Sequence, residues 1–68
     1  MIEYFVNKNP KPDGSYEMHR EDCSLLPVWF NRIPLGRQPD CKKALEAAKK
    51  IYPTANGCYY CAPECHLV

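Results

Sequence analysis

Four side chains that can bind a metal ion through nitrogen or sulfur stand in this chain as two closely spaced pairs. The first pair is His19 and Cys23, and the second pair is Cys58 and Cys61. Zinc prefers four such ligands in a tetrahedron, and three cysteines with one histidine are a standard structural set. Because a long segment separates the pairs, a shared ion would clamp distant parts of the chain together. We therefore predict one zinc ion, held by these four residues.

The chain is short enough to need such a clamp. A chain of 68 residues buries only about 60% of the surface that it exposes when unfolded, so its core is marginal. Domains of this size usually depend on disulfides, a metal or a partner chain. Structural zinc contributes on the order of 10–16 kcal/mol of apparent binding free energy in zinc-finger peptides. We expect a single zinc-binding domain over residues 1–68.

The hydrophobic pattern predicts an α+β fold, in which one helix packs on a small antiparallel sheet of about three strands. Alternating apolar and polar residues indicate strands over 2–7 and 15–20, joined as a hairpin. Residues 31–35 are a candidate third strand, which Pro34 confines to an edge of the sheet. Residues 36–39 are expected to turn the chain. The segment from Cys58 to Cys61, which we call the zinc knuckle, lies near the C-terminal end of this arrangement.

The one helix is predicted from about Cys41 to Tyr52. Asp40 is a suitable N-cap, because its carboxylate can accept a hydrogen bond from a free backbone N–H group. Pro53 ends the helix, and Asn56-Gly57 predicts a tight turn before the cysteine-rich tail. Apolar residues recur at helical spacing and form one stripe. The stripe consists of Cys41, Ala44, Leu45, Ala48, Ile51 and Tyr52.

The remaining cysteines and the second histidine leave alternatives open. Cys65 and His66 are alternative metal ligands, and Cys65 could instead form a disulfide with Cys41. Cys41 lies on the apolar stripe, where we expect a buried, unreactive thiol. Cys58 and Cys61 also match the Cys-x2-Cys pattern of redox proteins, which requires the first cysteine at a helix N-terminus. A disulfide-stapled domain without metal is a further alternative, although an odd cysteine count fits it poorly.

Charge and aromatic content bear on the partners of the chain. The net charge is +1, far from the strongly basic footprint of a dedicated nucleic-acid-binding protein. The helix lysines between positions 42 and 50 are expected to be a solvated face, with a phosphate patch as the alternative. Trp29, Phe30, Tyr59 and Tyr60 are expected to complete the core, with base stacking as the alternative. We expect a monomer with a protein or nucleic-acid partner and no membrane association.

The sequence lacks the motifs of secreted proteins, membrane proteins and common enzymes, and this bears on where the protein is located and whether it is an enzyme. The chain starts without a basic region, and the apolar run 4–6 is too short for a signal peptide. No stretch approaches the length of a membrane helix. We therefore expect a cytoplasmic location, where thiols stay reduced. The sequence has no glycine-rich phosphate loop and no recognisable acid–base pair, and it offers ligands enough to close a zinc site to water. We expect a binding module rather than an enzyme.

The order of the motifs resembles the Ada-like metal-binding domain. The resemblance is carried by residues 16–23, by the alanine pairs at 44–48 and by residues 57–61, and it spans about 15–61. The chain also looks like small stand-alone bacterial proteins with the same Cys/His tail. The resemblance implies a small sheet with one helix and suggests proximity to DNA. It implies the zinc ligands His19, Cys23, Cys58 and Cys61.

The sequence departs from the Ada pattern at the first ligand. In the Ada regulator all four ligands are cysteines, and one of them accepts a methyl group from a DNA phosphotriester. Here His19 stands at the first position and Cys23 at the second. This departure argues against methyl transfer, and we keep a methyl acceptor, or a redox protein that uses the Cys-x2-Cys pair, only as an alternative to a structural zinc module.

Overall fold

The computed structural model describes residues 1–67, which form a sheet, one α-helix and two short 3-10 helices. The last residue of the predicted domain, Val68, lies outside the described residues. The 3-10 helices lie at Trp29–Asn31 and Pro63–Cys65. The other elements are β1 (Ile2–Asn7), β2 (Tyr16–Arg20), β3 (Arg32–Gln38), α1 (Cys41–Ile51) and β4 (Ala55–Gly57).

The sheet is mixed and has the strand order β3-β1-β2-β4. β1 pairs antiparallel with β2 and β3, whereas β2 pairs in parallel with β4. In the hairpin of β1 and β2, Phe5 lies opposite His19. The β1–β3 register shifts between Tyr4 and Phe5 and passes over Leu35 as a bulge. β3 is an edge strand, as Pro34 predicts.

The core lies between the sheet and α1. Tyr4 and Val6 of β1 and Met18 of β2 are buried, and they pack with Ala44 and Ala48 of the helix. These residues alternate along the strands and recur at helical spacing, as the sequence pattern requires. Alanine at both helix positions leaves room for the larger strand side chains to fill the space densely. The α+β class is thereby confirmed.

Both ends of α1 are fixed by local contacts. The Lys43 backbone N–H donates to the Asp40 carboxylate at 2.9 Å, which confirms the predicted N-cap. At the other end the Tyr52 ring stacks on Tyr16 of β2, with ring centroids 3.7 Å apart.

Within residues 1–67 no helix combines the length and the apolar composition needed to cross a membrane.

Two segments differ from the sequence expectation. Residues 55–57, which include the predicted tight turn, form β4 because they pair with 16–18 of β2. The sheet therefore has four strands among the described residues, instead of about three. Residues 36–38, expected to turn, continue β3 because they pair with 2–4 of β1. Both differences come from pairing partners that are distant in the sequence.

Candidate metal centre

Four side chains from two distant parts of the chain converge on one point. The ring nitrogen of His19 and the sulfurs of Cys23, Cys58 and Cys61 all lie within 4.8 Å of one another. The Cys23 sulfur is 3.5 Å from Nδ1 of His19 and 3.9 Å from the Cys58 sulfur. The structure thus brings together the four residues that the sequence singles out, in an arrangement that can hold a metal ion.

The parallel pairing of β2 with β4 explains why the two pairs meet. Met18 lies opposite Gly57, so the next residue of each strand, His19 and Cys58, falls at the same end of the sheet. The Cys58 backbone N–H donates to the Met18 carbonyl at 2.9 Å. This bond extends the strand pairing to the first residue of the knuckle. The sheet itself therefore positions one ligand from each half of the site.

Tight turns bring in the second ligand of each pair. After β2 the chain reverses through a bond from the Cys23 N–H to the Arg20 carbonyl, 3.1 Å long. This turn returns the Cys23 side chain towards His19. After β4 the Ala62 N–H donates to the Cys58 carbonyl at 2.9 Å. That turn carries Cys61 back towards the cluster.

Two backbone N–H groups point at the cysteine sulfurs. The Arg20 N–H donates to the Cys61 sulfur at 3.3 Å, and the Leu25 N–H donates to the Cys23 sulfur at 3.4 Å. Hydrogen bonds to the charged form of an acid favour that form. Because thiolates are the metal-binding form of cysteine, these contacts favour a bound cation.

Glu17 orients the histidine of the cluster. Its carboxylate oxygen lies 3.3 Å from Nε2 of His19, on the side of the ring away from the sulfurs. A proton on Nε2 leaves the Nδ1 lone pair directed at the cluster. A histidine ligand that donates its other N–H to a carboxylate is a common arrangement at zinc sites. The sequence analysis did not assign Glu17 to the site, although its i, i+2 spacing to His19 in a strand places both on one face.

Burial favours neutral forms of the cluster in the metal-free chain. His19 is only 1% exposed, and this burial lowers its pKa, while the Glu17 carboxylate opposes the shift. Burial also raises the pKa of Cys61 to about 12. A metal ion must therefore displace the proton of the Cys61 thiol, so binding is coupled to proton release.

The cluster is open on one side. Cys58 is fully buried, whereas Cys23 and Cys61 are partly exposed. These two cysteines line a shallow cavity of about 310 Å³ together with Arg20 and Tyr60.

The other two cysteines form a disulfide outside the cluster. Cys41, at the start of α1, is bonded to Cys65 in the second 3-10 helix. The expectation of an unreactive free thiol at Cys41 is wrong, and the disulfide that the sequence left open as an alternative is present. Cys65 is thereby not a member of the four-residue cluster. The His66 ring also lies outside it, with Nδ1 2.9 Å from the Gly57 carbonyl.

Four aromatic side chains lie on the surface. Trp29 and Tyr60 are 73% and 74% exposed, and their neighbours Phe30 and Tyr59 are also exposed. Each adjacent pair meets edge to face. The expectation that these residues complete the core is wrong. The small side chains at α1 allow the core to close without them.

No family model, curated protein or solved structure gave a significant match to this chain. The cluster itself is compatible with a zinc domain, since one imidazole and three thiols stand within reach of a single ion. The likeness to the Ada-like domain therefore rests on the residue pattern and on this arrangement alone.

Proposed function

We propose that this protein is a small binding module whose fold is completed by one structural zinc ion. The observation that carries the proposal is the set of four ligand atoms, one nitrogen and three sulfurs, within 4.8 Å of one another. In the metal-free chain such a group would leave three thiols crowded around a buried imidazole. A single divalent cation replaces that arrangement with four direct bonds.

Two of the ligand separations match the edges of a zinc tetrahedron. A tetrahedron with zinc–sulfur bonds of about 2.3 Å has sulfur–sulfur edges of about 3.8 Å, and a zinc–nitrogen bond of about 2.05 Å gives nitrogen–sulfur edges of about 3.6 Å. The corresponding separations here are 3.9 Å between Cys23 and Cys58 and 3.5 Å between Cys23 and His19. Soft thiolate ligands also disfavour magnesium and calcium, which prefer oxygen.

Four protein ligands would fill every coordination position of a tetrahedral zinc ion. A catalytic zinc normally keeps one position for water or substrate, whereas a structural zinc is fully ligated by the protein. We therefore propose a binding role rather than an enzymatic one. The ion would join β2, its following turn and the knuckle after β4, which no disulfide of the described residues connects.

Metal content and ligand substitution test this proposal. Native mass spectrometry of purified protein should show one zinc per chain. His19→Gln should lower the zinc content sharply, whereas the matched control His66→Gln, which alters a histidine outside the cluster, should keep it. A protein that purifies without metal, gains none on titration with zinc and stays folded would overturn the proposal.

A nucleic-acid partner is our proposal for what the module binds. The Ada-like pattern suggests DNA, and the exposed rings of Trp29, Phe30, Tyr59 and Tyr60 are of the kind that stack on bases. The lysines of α1 offer charges for phosphates. Titration with single-stranded and duplex DNA at two salt concentrations should give weaker binding at higher salt. Binding of neither form would leave a protein partner as the proposal.

A thiol acceptor is the second candidate, favoured by the cavity at Cys23 and Cys61. A zinc-bound thiolate that faces a cavity can attack an electrophile. Incubation of the zinc-loaded protein with a methylating agent, followed by peptide mass spectrometry, separates the two functions. Rapid labelling of one cluster cysteine, with zinc retained, would favour the acceptor. Slow and uniform labelling would favour a purely structural site.

A further inference from the structure

The five cysteines divide into two chemical states in one small fold. Cys23, Cys58 and Cys61 are free thiols beside His19, whereas Cys41 and Cys65 are joined. The bond closes a loop that contains α1, β4 and both cysteines of the knuckle, because Cys58 and Cys61 lie between its ends in the sequence. Any change at this disulfide therefore acts on half of the candidate metal centre.

Close contacts connect the disulfide to the strand that positions Cys58. The Cys65 residue packs on Gly57 so tightly that a Cβ at Gly57 would lie 2.8 Å from Cys65 atoms. The His66 ring contacts the Gly57 carbonyl, and the Asn56 side chain bonds to the backbone of Leu67. The segment after the knuckle thus lies directly against β4. The disulfide ties this segment to the start of α1.

The disulfide is reachable by a reductant. Cys65 is buried, but Cys41 is partly exposed and lines a cavity of about 410 Å³ that also borders Cys61. Cys41 is the first residue of α1, where the helix dipole stabilises a thiolate. Stabilisation of the reduced form makes a disulfide easier to reduce.

We propose that the Cys41–Cys65 disulfide is a redox switch that sets the affinity of the metal centre, an inference that rests on the zinc site proposed above. In the oxidised state the closed loop holds the knuckle in place. A dithiol reductant supplies two electrons and two protons: its own two sulfurs join, the Cys41–Cys65 bond breaks, and both cysteines become thiols. The segment after the knuckle is then held by non-covalent contacts alone, and the ion is held less tightly.

The switch predicts a change in zinc affinity. A disulfide restricts the unfolded chain, and zinc binding is coupled to folding. Loss of the bond should therefore weaken zinc binding about tenfold to a hundredfold. Chelator competition on oxidised wild type and on the double variant Cys41→Ser/Cys65→Ser measures this difference. Equal affinities for zinc in the two proteins would overturn the switch while leaving the metal centre intact.

Titration of the zinc-loaded wild type with dithiothreitol keeps the test independent of how the variant folds. Iodoacetamide, added at each step, should label Cys41 and Cys65 first, because bound zinc protects the three cysteine ligands, Cys23, Cys58 and Cys61. Reoxidised wild type, freed of reductant, is the control and should regain full affinity. A disulfide that stays unlabelled in excess dithiothreitol would also overturn the switch. If oxidised wild type binds no zinc at all, the proposed function fails as well. The other two negative results, equal affinities and an unlabelled disulfide, overturn only the switch.

Discussion

At the scale of single residues, the candidate metal centre depends on how each ligand atom is aimed. His19 is nearly fully buried, and its ring can turn only if its partner on Nε2 allows it. The Glu17 carboxylate is that partner. Backbone N–H groups direct the sulfurs of Cys23 and Cys61 in the same way. The preorganisation of the cluster thus comes from residues beside the ligands as much as from the ligands.

Removal of the Glu17 charge should weaken the metal centre without removing a ligand. Groups that hydrogen-bond to a metal ligand typically contribute 10- to 100-fold in metal affinity, so we expect Glu17→Gln to weaken zinc binding about tenfold. Chelator competition measures the change. The matched control Glu46→Gln alters an exposed carboxylate on α1 and should leave the affinity unchanged. Equal zinc affinities for Glu17→Gln and wild type would exclude an orienting role.

A methyl group at Gly57 should disturb both β4 and the disulfide segment. The added Cβ would lie 2.8 Å from the backbone of Cys65, closer than packed atoms tolerate. Overpacking of this kind costs roughly 1–3 kcal/mol, so Gly57→Ala should lower the melting temperature by several degrees. At Gly14 nothing lies within 4 Å of an added Cβ, but φ is +88°, so Gly14→Ala measures the cost of backbone strain without overpacking. A melting temperature of Gly57→Ala equal to that of wild type would contradict the packing argument.

At the scale of elements, local sequence signals determine α1, whereas pairing with a distant strand determines β4. α1 carries its own start signal in Asp40 and its own apolar stripe, so its limits are set locally. β4 has only three residues and includes an Asn-Gly pair that by itself favours a turn. Its extended form depends on β2, with which it pairs. The knuckle is therefore positioned by the weakest element of the sheet, next to the disulfide.

Loss of the Asp40 cap should destabilise the helix by a predictable amount. Asp40→Ala removes the acceptor of the Lys43 N–H bond, and such a change costs about 1 kcal/mol. Asp40→Asn keeps an equally good cap and should retain most of the stability. Urea denaturation of both variants measures the difference in free energy of unfolding. Equal losses for the two variants would show that the charge rather than the cap is what matters.

At the scale of the whole molecule, the disulfide and the proposed metal ion would cross-link the described fold by different chemistry. The disulfide joins α1 to the second 3-10 helix. The proposed ion would join the β2 turn to the knuckle. The apolar core between them contains many small residues, with four alanines from outside the strands β1 to β3. Neither cross-link substitutes for the other, since they connect different pairs of segments.

Removal of metal should therefore destabilise the protein even when the disulfide is intact. A ligand that binds only the folded state stabilises it in proportion to its affinity, and 1 kcal/mol shifts the melting temperature of a domain this small by about 4–8 °C. We expect excess chelator to lower the melting temperature by at least about 10 °C. Circular dichroism without reductant measures the shift. A melting temperature that stays constant while zinc is shown to be lost would contradict the proposal that zinc stabilises the fold.

The local pattern determined much of the protein by itself. Strand alternation, the cap at Asp40 and Pro34 at an edge are short-range signals, and each describes the observed element. The four candidate ligands could also be named from spacing, because His-x3-Cys and Cys-x2-Cys place side chains in one turn. These features depend on neighbours a few residues away, which the sequence displays directly.

Tertiary structure decided the rest, because it depends on which distant segments meet. The Asn-Gly turn at 56–57 became a strand through pairing with β2. Cys41 became half of a disulfide because Cys65 packs on the same side of the core. The spacing places Glu17 on the same face of β2 as His19, but only the folded structure shows its carboxylate 3.3 Å from Nε2 of the buried ring. The composition of the chain provides five thiols, and only the three-dimensional arrangement divides them between a disulfide and a cluster.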